Sequence, residues 1–312
     1  MVPLVLPTPY PIGPVTTYLL RGEPLTLVDT GPATAAAWHA LVAALEQLGL
    51  RPADVRRVLV THGHHDHFGQ AQRLARRGAE LWAHDADADN LRLRRRLLGL
   101  WRELTRAALP LSTRVTVVVG LLLLDRTALA VRRFSRLEDG QILPLDRAPL
   151  RVLHLPGHSP GHVGLEIFGE GVVLGGDLLL DGITPNAIVG PDPRDPSRPF
   201  LSLAAYNASL ERLQGLQARL LLPAHGPCIR DISGQVASVL ARQAERAAQV
   251  ISVLERGGTT VASLLRRLFP GLSSVATFLA FSEVYGHLLE LERRGETRRV
   301  SAGRHDRWVL AR

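Results

Sequence analysis

The sequence predicts an α/β fold in two parts: a large strand-and-loop part over residues 1–232 and a small, mostly helical part over 233–312. Three observations carry this prediction. Short apolar stretches of strand character recur between Leu25 and Leu222, each closing on a polar or Gly/Pro-rich loop. From Gln235 onward the composition is helical over three segments, and two short strands follow. A length of 312 residues exceeds the usual single-domain range, so one large domain plus a small one is expected.

Taken in order, Leu25-Thr-Leu-Val28 is the first such stretch, and it ends in Asp29. Val58-Leu-Val60 leads directly into Thr61-His-Gly-His-His-Asp-His-Phe-Gly69, which sets His62, His64, Asp66 and His67 within six residues. Imidazole and carboxylate suit zinc, iron or manganese, and a turn after a strand can aim alternate side chains at one point. His62 and His64 therefore face one way together. Asp66 and His67 fall on the following turn and can reach a second metal, so the spacing implies a two-metal centre. Leu153-His-Leu-Pro-Gly-His-Ser-Pro-Gly-His162 then offers His158 in a Gly/Pro turn, where the backbone bends sharply enough to deliver a side chain. Val172-Val-Leu-Gly-Gly-Asp177 offers a carboxylate at the end of a buried strand, able to bridge two cations. Leu220-Leu-Leu-Pro-Ala-His-Gly226 offers His225.

Between His67 and His158 lies an insertion, about residues 91–136. Leu91 to Leu104 reads as one helix with leucines on one side and arginines on the other. After Pro110, Val115 to Leu124 is an apolar run of ten residues, far short of the about twenty that cross a bilayer. It predicts a buried helix or a hydrophobic lid over the metal site; a dimer contact, plain packing and a basic helix resting on an anionic membrane surface are the other readings. In the C-terminal part, Gln235–Arg256 is a helix stopped by Gly257-Gly258, and Thr260–Phe269 a second stopped by Pro270-Gly271. Ala276–Arg294 is a third, capped by Gly295. Two short strands follow around a Gly303 turn.

The ordered set of polar residues resembles the metallo-β-lactamase-fold hydrolases, a superfamily that includes glyoxalase II. That family carries an Asp after an early strand, His-x-His-x-Asp-His, a later His, a bridging Asp and a final His. Here they stand as Asp29, then His62, His64, Asp66 and His67, then His158, Asp177 and His225, a match covering roughly residues 1 to 230. The resemblance implies a four-layer αββα sandwich. It gives one metal to His62, His64 and His158, a second to Asp66, His67 and His225, and Asp177 to both, with Asp29 behind the ligands. His162 either orients the Pro-Gly turn or touches substrate, and His65 should point away from the ligands. The C-terminal helices and hairpin are similar to the winged-helix module of a subgroup of these proteins, in which a His-Leu pair in the last helix matches His287-Leu288.

Composition bounds the chemistry. All 37 basic residues are arginine, which excludes lysine chemistry such as a Schiff base. The net charge of +8 is unevenly spread: residues 91–136 hold eleven arginines against two acids, and 233–312 twelve against seven. The remainder, which carries the metal motif, is acidic. One cysteine, Cys228, excludes an intrachain disulfide and fits a reducing compartment; a packed side chain is expected there. The N-terminus lacks a basic signal-peptide region and no transmembrane segment is evident, so cytoplasmic residence is expected. Homodimerisation would use the insertion or the C-terminal module.

Two divalent ions sharing a water can bring its proton loss near neutral pH; one zinc alone lowers the pKa from about 15.7 to about 7. The expected reaction is hydrolysis of an ester, thioester or lactone of a small acyl substrate by a metal-bridging hydroxide. Asp66 would orient the nucleophile as well as bind metal, and zinc is favoured over iron or manganese. Phe68-Gly69-Gln70 departs from the Gly-Gly that glyoxalase II commonly has after Asp-His-x, and with lysine absent a strict glutathione thioesterase is disfavoured. Asn186 and Tyr206 are candidate pocket contacts. The alternatives are a metal-dependent endoribonuclease or phosphodiesterase, which would need a basic track to the metals, and a non-catalytic binding protein, which would predict an absent metal or a blocked pocket and against which the complete ligand set argues. Nucleic acid is the less favoured partner, since Glu290 and Glu292 interrupt the basic residues of the last helix.

Overall fold

In the computed structural model, residues 1–94, 97–146, 148–272 and 274–311 are described. Six strands form one sheet in chain order: β1 (Val2–Leu6), β2 (Val15–Leu20), β3 (Thr26–Val28), β4 (Arg57–Leu59), β5 (Glu80–Ala83) and β6 (Ser135–Arg136). The first three run antiparallel and β3 to β6 parallel. The parallel pairs need crossovers, supplied by α1 (Ala35–Glu46), by α2 (His65–Phe68) with α3 (Ala71–Ala75), and by the insertion. In α1, Thr34 caps the first turn by accepting from Ala37 N at 3.2 Å, and Ala37, Leu41 and Leu45 fall on one buried face.

The insertion contains α4 (Ala88–Leu91), α5 (Leu97–Arg106) and α6 (Leu111–Leu124). A second sheet has β7 (Ile142–Leu143), β8 (Leu150–His154), β9 (Val163–Ile167), β10 (Val172–Gly176) and β11 (Leu220–Pro223), in the order β11-β10-β9-β8-β7. Only β10 and β11 are parallel there, and α7 (Ser202–Gly215) makes their crossover. The chain then forms α8 (Ile232–Glu255), α9 (Val261–Leu268), α10 (Ser274–Arg293) and the hairpin of β12 (Thr297–Ala302) and β13 (His305–Leu310).

Three apolar layers hold the αββα sandwich together. Leu41, Leu45 and Leu74 pack under the first sheet; Tyr18, Leu59, Val152 and Leu165 fill the space between the sheets; Leu210, Leu213 and Val236 cover the second. The first turns of α8 belong to this third layer, whereas Val250 and Leu254 near its end belong to a fourth core with Phe281, Leu288 and Trp308. One helix thus spans the join between the large part and the small one.

The fourth core also takes Leu104, Leu109 and Val117 from the insertion. Ala262 N donates to Ala107 O at 2.9 Å, the Tyr285 hydroxyl donates to Glu103 Oε2 at 2.8 Å, and His305 Nδ1 lies 2.8 Å from Thr105 O. The two basic appendages are therefore one packed body. Three local expectations are corrected. The helix predicted from Leu91 to Leu104 is not continuous: α4 ends at Leu91, Leu93 takes a positive φ of 54° and α5 starts at Leu97, with 95 and 96 outside the described residues. The apolar run is helical but not buried, for five large side chains of α6 stand in solvent. Cys228 is exposed as well, not packed.

Candidate metal centre

Each candidate ligand lies just beyond a strand, at the edge of the sandwich where both sheets end. β3 delivers Asp29 and β4 delivers residues 61–67; β10 delivers Asp177 and β11 delivers His225. His158 sits in the β8–β9 loop. Hydrogen bonds stitch these ends together: Asp29 N to Leu59 O at 2.9 Å, Val163 N to Thr61 O at 2.8 Å and Ala224 N to Gly176 O at 2.9 Å. Gly176 takes φ +52°, and a Cβ there would stand 2.9 Å from His162 Nε2 and 3.1 Å from Thr61 Cβ, so only glycine lets the chain turn into Asp177. Asp29 is itself left-handed at φ 59°, a conformation that aspartate tolerates and that surrounding bonds must hold.

The side chains converge. The ligating atoms of His62, His64 and His158 all lie within 4.8 Å of one another, and so do those of Asp66, His67 and His225. Asp177 stands between the groups: its Oδ2 is 3.4 Å from His67 Nε2, 3.5 Å from His158 Nε2 and 4.0 Å from His62 Nε2, and its Oδ1 is 3.8 Å from His225 Nε2. Asp66 Oδ2 is 3.4 Å from His225 Nε2, and His62 Nε2 is 2.9 Å from His64 Nδ1.

The opposite ring nitrogens are anchored. His67 Nδ1 meets Asp29 Oδ2 at 2.8 Å, His158 Nδ1 meets Asn186 O at 2.9 Å and His225 Nδ1 meets Pro14 O at 2.8 Å. Each bond fixes a ring so that Nε2 points inward, the arrangement that metal-binding imidazoles need. Asp29 also accepts from Thr61 N and Thr61 Oγ1, both at 2.8 Å.

Burial pushes His62 and His64 well below the ordinary imidazole range, aided by neighbouring imidazoles. Burial also acts to lower His67 and His225, but the carboxylates of Asp177 and Asp66 outweigh it and both are raised. Burial would raise Asp66 and Asp177; the imidazoles around them, His67 foremost, hold both down as anions. Two carboxylates and a shell of imidazoles packed this closely form a donor set for cations. Nε2 of His67 and of His158 and Oδ1 of Asp177 are buried without a hydrogen-bond partner, an arrangement that a cation would complete. The donor set fits two divalent ions.

The remaining predicted residues have definite places. His162 is fully buried, and its Nε2 accepts from Asp177 N at 3.2 Å, so it backs a candidate ligand and does not reach the surface. His65 turns away to Asp125 at 3.0 Å, tying the motif to the C-terminal end of α6. Tyr206 is fully buried and donates to Leu178 O at 2.7 Å. Asn186 serves through its carbonyl, while its amide donates to Leu279 O at 2.8 Å.

Asp87 escaped the sequence reading. Its buried carboxylate accepts from Gly63 N at 2.7 Å, Ser159 Oγ at 2.7 Å and Gly161 N at 3.0 Å. It latches the His62–His67 loop to the His158 loop through main-chain amides and Ser159, not through a hydrogen bond to a candidate ligand's side chain. The missed signal was of the same form as the others, an apolar stretch, Leu81-Trp-Ala83, closing on a polar loop. Tyr10 was also missed. Its phenol lies 2.5 Å from Thr127 Oγ1, and burial, with the nearby Asp66 charge, pushes its pKa up to about 12.

A family model described as the Metallo-beta-lactamase superfamily matches residues 10–225. Among curated proteins, the chain is 29% identical over 293 residues to "Probable metallo-hydrolase YqjP" of Bacillus subtilis, covering 92% of this chain and 90% of that protein. It is 32% identical over 143 residues to hydroxyacylglutathione hydrolase GloC of Haemophilus influenzae, covering 46% of this chain and 57% of the other. Among solved structures, the metallo-beta-lactamase family protein TTHA1429 of Thermus thermophilus superposes with a TM-score of 0.86 at 30% identity, covering 99% and 98% of the two chains.

Proposed function

From the premise that the chain belongs to the metallo-beta-lactamase superfamily and is a hydrolase of that kind, we propose that it hydrolyses an ester, thioester or lactone bond of a small acyl substrate at a dinuclear metal centre. The observation that carries the proposal is the convergence of two three-ligand groups about Asp177. His62, His64 and His158 would hold one ion, Asp66, His67 and His225 the other, and Asp177 both, with zinc favoured. When bound, two such ions supply a water acidic enough to ionise near neutral pH and positive charge for the developing oxyanion.

The chain's own residues set the geometry of that reaction. Asp29, Asn186 O and Pro14 O hold the rings of His67, His158 and His225 in place, and His162 backs Asp177 through its main-chain N–H. Asp66 is held as an anion, which lets one of its oxygens accept a hydrogen bond from attacking water. Tyr10 stays protonated at neutral pH, and because the Thr127 hydroxyl donates to Leu124 O at 2.6 Å, the Tyr10 hydroxyl donates to Thr127 Oγ1.

An acyl substrate is favoured over a phosphodiester on electrostatic grounds. The small part, which we read as winged-helix-like, has Arg246 paired with Glu283 at 2.6 Å, Arg293 and Arg294 with Glu290 at 2.7 and 2.8 Å, and Arg299 with Glu292 at 3.3 Å. These four of the twelve arginines in residues 233–312, neutralised in this way, make a poor phosphate track. GloC, named for hydrolysis of an acyl conjugate, supports the same substrate class. The test is a hydrolysis screen of metal-analysed protein against short and long acyl thioesters, lactones and single-stranded RNA, beside a His64→Ala/Asp66→Ala variant. Acyl turnover that the variant abolishes, with RNA intact, is expected; RNA cleavage that depends on the same residues would overturn the assignment.

A further inference from the structure

A helix apolar on every side is normally covered on every side. α6 is largely apolar, with Ser112, Thr113, Arg114 and Thr116 confined to its first two turns, and it is covered on one side. Val117 packs into the fourth core, and the single charge, Arg114, lies over the Trp101 ring and donates to Thr105 Oγ1 at 2.6 Å, toward α5. The opposite side carries Leu111, Val115, Val119, Leu122 and Leu123, which are 45–60% exposed. Steps of three and four residues place them on one stripe. Leu98 of the neighbouring α5 is 89% exposed.

The insertion is basic in composition, residues 91–136 carrying a net +9, and Arg102 and Arg106, one and two turns after Leu98 on α5, are exposed, as is Arg126. Arg126 follows Leu122 and Leu123 by one helical turn. A second copy seated on this stripe through a twofold axis would bring two such segments face to face, and their repulsion opposes the contact. An anionic lipid surface answers both features, taking apolar side chains into its acyl boundary and arginines among its headgroups. No helix of the described residues is long and apolar enough to cross a membrane, so seating and not spanning is at issue.

We infer that the exposed stripe of α6, flanked by the insertion's arginines, docks the protein on an anionic phospholipid surface. The C-terminal end of α6 runs into the metal motif: His65 meets Asp125 at 3.0 Å, Ala33 N donates to Thr127 O at 2.6 Å and Leu129 N to Gly69 O at 2.9 Å. Docking here brings that end of the candidate centre toward the bilayer. The inference stands whether or not the proposed hydrolysis does, because its readout is binding.

The experiment is co-sedimentation of the full chain with phosphatidylcholine vesicles lacking or containing phosphatidylglycerol, at low and high salt, beside size-exclusion light scattering. Binding to the anionic vesicles, weakened by salt, is expected. Val119→Glu/Leu122→Glu should weaken it about tenfold or more, by removing apolar contact and adding repulsion, and Arg126→Glu should weaken it less. These positions are exposed, and an unchanged thermal melt will confirm folding. The inference is overturned by absence of binding to anionic vesicles, by equal binding to vesicles without phosphatidylglycerol, or by binding indifferent to the substitutions. A dimer dissolved by Val119→Glu/Leu122→Glu, without vesicle binding, would assign the stripe to self-association.

Discussion

Asp87 ties together two loops that share no strand, so its removal should loosen the metal centre without touching a candidate ligand. In Asp87→Ala the Gly63 and Gly161 N–H groups, now 2.7 and 3.0 Å from the carboxylate, lose their acceptor inside the protein, as does the Ser159 hydroxyl at 2.7 Å. A buried donor left unpaired costs about 1–3 kcal/mol. Ser159 can rotate away, but the two amides cannot, so a loss of about 2–6 kcal/mol is expected. Asp87→Asn keeps the shape and one acceptor oxygen, and should lose about half as much. Urea unfolding measures this part. Metal affinity measures the functional part, by competition with a chromophoric chelator. Displacing the His62–His64 loop relative to His158 should weaken binding about tenfold to a hundredfold, the usual effect of removing groups that orient ligands. Unchanged stability would refute the latch, and lowered stability with unchanged metal affinity would refute its link to the centre.

Three further outcomes are expected. His287 is buried, and burial, with Arg246 and Arg294 nearby and only Glu290 opposing, lowers its pKa from 6.5 to about 4. Its folded pKa lies below the unfolded one, so stability is full above about pH 6.5 and falls by about 3 kcal/mol as pH drops toward 4; His287→Gln should flatten the unfolding free energy across that window, and an unaltered slope would count against it. Gly157→Ala would place a Cβ 2.3 Å from Tyr206 Cα at a φ of +142°, and should destabilise by at least about 2 kcal/mol or prevent soluble expression, as a thermal melt would report. His225→Ala should lower metal content by about one ion per chain in elemental analysis while the fold persists by circular dichroism, because Asp66 and His67 lose their third partner.

The candidate centre was legible because its residues are strong donors placed at strand ends, and the chain order Asp29, His62–His67, His158, Asp177, His225 survives as spatial convergence. What holds those residues was less legible. Pro14 and Asn186 act through carbonyls, which leave no trace in side-chain identity, and Asp87 looks like any loop acid until Gly63 and Gly161 are seen against it. The union of the two basic appendages was illegible because it rests on contacts such as Tyr285 to Glu103 across 182 positions. Local pattern found α6, but its apolar residues said nothing about which of them a neighbour covers; α10 covers only one side.

Metal dependence bears most directly on the central claim. Protein stripped with a chelator, then titrated with zinc while acyl-substrate hydrolysis and bound metal are followed together, should regain activity with a plateau at about two equivalents per chain. Full activity in stripped protein, or uptake of two equivalents with no hydrolysis of any acyl substrate that the screen contains, would contradict it.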